Sequence, residues 1–413
     1  LDNITHSVVG LLVAEAALVL RESRATAVDD SHGLRASALL ASVLANNAPD
    51  VDSAYASFLA KPLGSLLHHR GHTHTLVLVP LLAALVVGVT LAVARARGTR
   101  IAPRDRTWLF SLALVGVGVH IGLDATNNYG VHPFWPFHDG WFYGDSVFIV
   151  EPLLWVAAIP PLVFSPGPRW LMIALATIVL FGVGLSWLRE FVPRSMAVFV
   201  TSVACLTALA SVRATARGRV LVSAGATGAV LLLFAYSSSL ARAAVTRSSA
   251  ASFPRAVTHD TVLTPMPADP LCWQTILVQT EDARYVARTG VVAIVPSFMT
   301  SGECPFDTWA KPTAPSEAVP ARATPSVRWI RQFSAPRGEL RALADRSCVF
   351  ASLLRFARVP FWTNDEALGR IAGDLRYDRS SGLDFSDTML DGVGCPDHVP
   401  PWTPPRQTLL EAR

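Results

Sequence analysis

Eight apolar stretches crowd the first 236 residues, at 6–20, 36–48, 75–94, 107–124, 147–164, 169–187, 195–212 and 219–236. A helix that crosses a bilayer needs about 20 predominantly apolar residues, with about 17 as a lower limit. The last six stretches reach or approach that length. The first two are shorter and read as helices packed within the bundle, partly re-entrant. Runs of this kind point to a membrane bundle, in which every backbone polar group must be satisfied inside a helix. Charge agrees, because only 16% of the residues are charged, against about 25% in soluble domains. The expected fold is mainly α: a polytopic transmembrane helical bundle of about six to eight membrane segments over residues 1–240. A small α+β domain over residues 245–413 should follow it.

Arginine positions orient the bundle. The 95–106 loop carries Arg95, Arg97, Arg100, Arg104 and Arg106, which places it in the cytoplasm. Alternation then puts Arg169, the Arg213/Arg217/Arg219 group, and Arg21, Arg24 and Arg35 on the same side, while Arg189 and Arg194 mildly violate the rule. Residues 2–6, 46–52, 68–74 and 125–146 all come out on the opposite, outer face. The C-terminal domain does too, and there disulfides persist. Four of the five cysteines, Cys272, Cys304, Cys348 and Cys395, lie in it, and sequence leaves their three possible pairings open. No cleavable signal peptide is expected, because Asp2 and His6, rather than a basic segment, precede the first apolar run. The arginines are scattered or explained by topology, so no nucleic-acid partner is expected.

Within the C-terminal domain, 272–280 and 284–295 read as a hairpin across Glu281-Asp282. Residues 237–252 read as a Ser/Ala/Arg-rich linker and 305–327 as a loop. Residues 338–356 have helical spacing, 370–378 reads as a strand, and the tail from about 392 reads as irregular.

The four outer stretches carry the chemistry. Residues 120–152 hold His120, His132, His138, Asp124, Asp139, Asp145 and Glu151 without a Lys or Arg. Imidazoles and carboxylates without cationic neighbours are what a bound metal cation selects. His120 and Asp124, four apart, share one helix face, and an ionisable pair inside a membrane segment marks a functional site by default. His69, His72 and His74 surround Arg70 and Gly71, and Thr73 is placed to cap the helix beginning near Thr75. Asp50 and Asp52 follow Pro49. Asp2 is placed to cap the first helix, and His6 lies one turn on. Arg70 offers a planar fork to a substrate phosphate or carboxylate.

These residues together resemble a family. Asp2-Asn3-Ile4-Thr5-His6-Ser7, Pro49-Asp50-x-Asp52, His69-Arg70-Gly71-x-Thr73-His74 and His120-x-x-x-Asp124 with Asn127-x-Tyr129-Gly130 are similar to the membrane-bound metal-dependent hydrolases of the YdjM type. Trp141 to Asp145 and Glu151-Pro152 look like a subgroup with a C-terminal extension. The resemblance covers about residues 1–165, and the C-terminal domain only loosely, through Gly373 to Tyr377. It implies that His6, Asp50, Asp52, His69, His74, His120 and Asp124 form the metal site. Ser53 stands where some members carry a further His.

The expected protein is therefore an integral inner (cytoplasmic) membrane hydrolase of a bacterium. One or two divalent metal ions, zinc first and manganese or iron next, would act at the outer face. Water activated by the metal would attack a phosphoester of a membrane lipid or envelope precursor. Asp145 is the expected general base, with Glu151 as the other candidate, and Arg70 would orient the phosphate. Trp135, Phe137, Trp141 and Phe142 would sit at the membrane interface. The competing expectation is a metal-stabilised, non-enzymatic scaffold whose outer domain binds an envelope partner. A metal or proton transporter ranks last, because the later helices carry few polar groups.

Overall fold

A computed structural model describes residues 1–22, 31–190, 192–305, 313–319, 321–380 and 382–411. Arg24, used above to orient the bundle, lies outside the described residues, as does part of the loop read at 305–327. Six helical segments are long and apolar enough to cross a membrane: Asn3–Glu22, Leu76–Ala96, Pro103–Asp124, Arg169–Leu188, Arg194–Val212 and Ala216–Ser252. The helices of the bundle are α1 (Asn3–Glu22), α2 (Ser31–Ala45), the short α3 (Asp52–Leu59) and α4 (Gly64–His68), and α5 (Val79–Ala96). They continue with α6 (Pro103–Asp124), α7 (Pro152–Val163), α8 (Arg169–Leu188), α9 (Arg194–Val212) and α10 (Ala216–Ser252).

Two segments depart from the sequence reading, each for a local reason. The first apolar stretch does qualify as a span, because α1 begins at Asn3. Asp2 caps it, accepting from the Thr5 amide at 3.0 Å and the Thr5 hydroxyl at 2.6 Å. The stretch 147–164 shrinks to the 12-residue α7. Its start is fixed by Pro152 and by the Glu151 carboxylate, which accepts from the Leu153 amide at 2.9 Å. Every residue from Pro152 to Leu162 is buried, so α7 is the central post of the bundle, packed against α1, α8, α9 and α10. Pro160 lacks the N–H that would bond the Val156 carbonyl. The Thr207 hydroxyl donates to that carbonyl at 3.0 Å instead, and Ser223 donates to the Ala158 carbonyl at 2.7 Å.

α1, α2 and α6 meet closely, through glycines. A Cβ on Gly116 would lie 2.7 Å from the Ala45 Cβ, and one on Gly10 would lie 3.0 Å from the Ser42 carbonyl. The start of α1, the turn after α2, the turn before α5 and the end of α6 come together at one end of the bundle. Backbone bonds from Asp2 to the Ile149 carbonyl (3.0 Å) and from Leu76 to the Pro133 carbonyl (2.9 Å) tie the 125–151 loop to them.

The stretch read as a linker is the last part of the 37-residue α10. Its alanines favour helix and no proline interrupts it before Pro254. An antiparallel five-stranded sheet follows, built from β1 (Val257–Met266), β2 (Asp269–Glu281), β3 (Arg284–Ala293), β4 (Glu317–Ala318) and β5 (Val327–Pro336), in the order β1-β2-β3-β5-β4. The expected hairpin is present, with Glu281 opposite Arg284 and Asp282 in the left-handed region at φ 53°. The expected helix over 338–356 is two, α11 (Arg337–Arg346) and α12 (Cys348–Leu353), because the Ser347 side chain caps a new helix by accepting from the Phe350 amide. A second sheet holds β6 (Pro360–Asp365), β7 (Gly369–Asp374) and β8 (Thr388–Met389), and the tail carries α13 (Gln407–Leu410). Disulfides pair Cys272 with Cys304 and Cys348 with Cys395.

The C-terminal domain sits on the motif-bearing end of the bundle and shares a core with it. Leu63, Leu66, Leu67 and Tyr129 pack in one buried cluster with Phe350, Leu353, Phe356 and Phe361. The buried Arg358 grips both oxygens of Asp145, at 2.6 and 2.9 Å.

Candidate metal centre

Two histidines and two carboxylates converge where α6 ends. His120 and Asp124 project from its last two turns. His74 comes from the turn before α5, and Asp50 from the 3-10 turn Ala48–Val51 after α2. The Nε2 atoms of His74 and His120 lie 3.1 Å apart. Asp50 Oδ1 is 3.4 Å from the first and 3.5 Å from the second, and Asp124 Oδ2 is 3.3 and 3.5 Å from them. Four donors around a tetrahedral ion with bonds of about 2.0–2.2 Å stand about 3.3–3.6 Å from one another. Four of the five separations therefore match the edges of such a coordination polyhedron, and the His74–His120 edge, at 3.1 Å, is slightly shorter. Asp124 Oδ2 is buried without a hydrogen-bond partner, which is what a carboxylate awaiting a cation looks like.

The imidazoles are oriented from behind. His120 Nδ1 lies 2.7 Å from the Asn46 backbone carbonyl. A carbonyl only accepts, so Nδ1 carries the proton and the Nε2 lone pair faces the cluster. His74 Nδ1 lies 3.2 Å from Asp52 Oδ2. A carboxylate or carbonyl on the far nitrogen is the usual support of a metal-binding histidine. Asp52 is itself held by the Arg70 amide at 2.9 Å and the Thr73 hydroxyl at 2.7 Å. Thr73, expected as a helix cap, thus serves Asp52 instead, and α5 begins only at Val79.

The imidazoles and carboxylates of the cluster compensate one another's charge. Burial pulls the His74 imidazole down, but Asp124, Asp50 and Asp52 outweigh it and push it up to about 10. Burial raises Asp50 and Asp52, yet the neighbouring imidazoles, His120 and His74 at Asp50 and His69 and His74 at Asp52, hold both well below the usual carboxylate range.

The remaining expected residues fall into two groups. Near the cluster, His6 Nε2 lies 3.2 Å from Asp124 Oδ1 and its ring stacks on His120 at 3.8 Å. His69 Nδ1 bonds Asp52 Oδ1 at 2.9 Å and Ser53 Oγ at 3.1 Å, and with Asp50 and Asp52 it forms a second set of donors close enough to share an ion. Arg70, buried and in the left-handed region at φ 58°, places its guanidinium 3.0 Å from Asp124 Oδ1 and 2.9 Å from Asn127 Oδ1. The amino group of Leu1 also lies against Asp124 Oδ1. Away from it, Asp145 pairs with Arg358 and with Arg242 at 3.0 Å. Glu151 caps α7 and accepts from the Ala268 amide at 3.2 Å. Of the aromatics, Phe137 and Phe142 are exposed. Trp141 instead turns in to donate to the Arg355 carbonyl at 2.8 Å, and Trp135 packs edge-on against His72.

Sequence reasoning missed the support residues. Asn46 and Asn127 had a usable signal, being buried amides at the ends of membrane helices. Trp402, whose indole reaches the Leu67 carbonyl at 3.0 Å, had none.

Fold and cluster define a polytopic membrane protein with a buried His/Asp site able to hold a metal ion. Residues 1–191, a stretch that contains all four motif segments, match the model of the YdjM inner membrane protein family. Searches of the curated proteins and of the solved structures found no match.

Proposed function

We propose that the chain is a membrane-embedded, metal-dependent hydrolase that acts at the outer membrane face on a phosphoester of a lipid or envelope precursor. The observation that carries this reading is the four-donor cluster of Asp50, His74, His120 and Asp124, with donor spacings of a tetrahedral divalent ion. Two imidazoles and two carboxylates suit zinc first, with manganese or iron as alternatives. When bound, such an ion polarises a phosphoryl oxygen and lowers the pKa of water.

The protein's own part is orientation. Asn46 and Asp52 fix the two imidazoles, and Arg70 neutralises one oxygen of Asp124 while leaving the other facing them. Asp50 and His69, at 12% and 22% exposure, mark the side from which solvent and substrate reach the cluster. Asp145 serves the junction with the C-terminal domain, since both its oxygens are occupied by arginines. The outer location is supported by the arginine distribution and by two disulfides in the domain that covers the cluster.

One observation favours a second reading. Four protein donors close a tetrahedron, as in structural metal sites, whereas catalytic sites keep a position open. A metal-stabilised scaffold would use all four, and a hydrolase would exchange one, with the partly exposed Asp50 the candidate.

Metal content by mass spectrometry, on the detergent-purified protein and on His120→Ala, tests the site. The expected result is one or two ions per chain, reduced in the variant. No metal in the wild type, and none recovered on adding zinc, manganese or iron, refutes the reading. Release of phosphate or phospho-headgroup from a panel of phosphoester lipids then separates enzyme from scaffold, and a fully metallated protein inert on all of them favours the scaffold.

A further inference from the structure

The turn between α4 and His74 carries His69, Arg70, Thr73 and His74, and it is unusual backbone. The last carbonyls of a helix lack intrahelical partners, and here α4 ends after five residues. Arg70 then adopts a positive φ of 58°. A positive φ at a non-glycine residue persists only where the surroundings hold it. On one side the turn is held by Asp52, which takes the Arg70 amide. On the other it is held by a residue 335 positions beyond Leu67.

Trp402 is fully buried against this turn. Its indole N–H donates to the Leu67 carbonyl at 3.0 Å. Its ring lies so close to Gly71 that a Cβ there would be 3.1 Å from it. It also packs against His72 at 4.8 Å and stacks on His132 at 4.0 Å and 22°. Trp402 does not float on a loose tail. The Cys348–Cys395 disulfide anchors the chain before it, Arg355 holds the Trp402 carbonyl at 3.0 Å, and Arg337 holds the Leu409 carbonyl at 3.1 Å. Between these anchors His398 lies 3.0 Å from the Leu59 carbonyl, and its own carbonyl lies 3.3 Å from His68 Nε2.

The geometry points to Trp402 as a positioning residue of the metal centre, and to residues 396–411 as a strap by which the C-terminal domain sets the cluster's affinity for its ion. Trp402 touches no donor atom. It acts through the turn, by filling the space behind Gly71 and satisfying the end of α4, so that His74 reaches the cluster and Asp52 reaches His74. The inference rests on the metal reading above, and it assigns part of the site to sequence outside the family match.

The test is a competitive zinc titration against a chelator on the full-length protein in detergent, for wild type, Trp402→Ala and Trp402→Phe, with melting of the metal-free forms alongside. Loss of an outer support costs a metal site about tenfold or more in affinity, and that is expected for Trp402→Ala. Trp402→Phe keeps the stack and loses one hydrogen bond, so about a threefold loss is expected. A purely structural role would lower the metal-free melting temperature and leave zinc affinity alone, and that result overturns the proposal. If Trp402→Ala does not fold, unchanged zinc affinity in Trp402→Phe overturns it equally. A wild type that binds no zinc, manganese or iron refutes the metal reading itself, a result distinct from equal affinity in wild type and variants.

Discussion

Gly116→Ala should weaken metal binding although residue 116 touches no donor of the cluster. A Cβ at 116 would lie 2.7 Å from the Ala45 Cβ and 2.9 Å from Asn46 Nδ2. Carbon atoms rest comfortably at about 3.5–4.0 Å, so the end of α2 must retreat by about 1 Å. Overpacking of this kind costs about 1–3 kcal/mol, and replacing a helical glycine by alanine returns up to about 1 kcal/mol. Net destabilisation is then at most about 3 kcal/mol. The effect on the site is larger in proportion. Asn46 holds His120 Nδ1 through its backbone carbonyl at 2.7 Å, and a retreat of about 1 Å takes that bond out of hydrogen-bonding range. Loss of such a support costs about 10–100-fold in metal affinity. Gly118→Ala is the control: two residues along the same helix, nothing lies within 4 Å of its Cβ position. Zinc affinity and melting of both variants are measured together. Equal zinc affinity in Gly116→Ala and Gly118→Ala would refute the claim that the α2–α6 contact sets the His120 geometry.

Three other substitutions probe separate parts of the molecule. Asp52→Asn should weaken zinc about 10–100-fold with all four donors of the cluster intact, as read by the same titration, because it removes the carboxylate behind His74. Arg358→Met leaves the buried Asp145 with only the 44%-exposed Arg242, and removing one partner of a buried pair costs about 3–5 kcal/mol. Melting should show the loss, and combining it with Asp145→Asn should recover part of it. Burial pushes Asp269 up to about 6, so the folded chain holds a proton there that the unfolded chain releases near pH 4. That contribution is complete below about pH 4 and is lost as pH rises to about 6. Asp269→Asn escapes the loss, so its melting temperature should gain on the wild type between pH 4 and 6 and keep a constant lead above. The lead is worth at most about 3 kcal/mol, and parallel curves across that range would refute the assignment.

The sequence was most legible where the signal is local. Apolar length gave most of the bundle, and the four-residue spacing of His120 and Asp124 placed both on one face because a helix turns every 3.6 residues. The same logic failed at α7, where Glu151-Pro152 starts a helix inside an apolar run, and at residues 237–252, where serines and arginines looked like a linker but continue a helix. The site divides the same way. Every donor of the cluster lies in a motif that can be read from left to right. Its supports come from packing at long range: Asn46 reaches His120 across 74 residues, Arg358 reaches Asp145 across 213, and Trp402 reaches Leu67 across 335. No periodicity encodes such distances. Asp145 shows the hazard, since an acid in an arginine-free stretch reads as a base until its distant arginine is seen.

The charge of the assembled site argues for a bound cation independently of the donor spacings. Asp50, Asp52 and Asp124 contribute three negative charges, and Arg70 and the Leu1 amino group oppose them at Asp124 Oδ1, while histidines acting as ligands are neutral. The balance stays negative, in surroundings where Asp52, Asp124 and Arg70 are almost wholly buried. An uncompensated charge in such a place is strongly disfavoured. A bound cation removes that excess. Arg70 makes this possible by binding Asp124 through Oδ1 alone, at 3.0 Å, which leaves Oδ2 without a hydrogen-bond partner and turned toward both imidazoles. The guanidinium thus does two things at once: it lowers the charge that a cation must balance, and it keeps a fourth donor free to receive that cation.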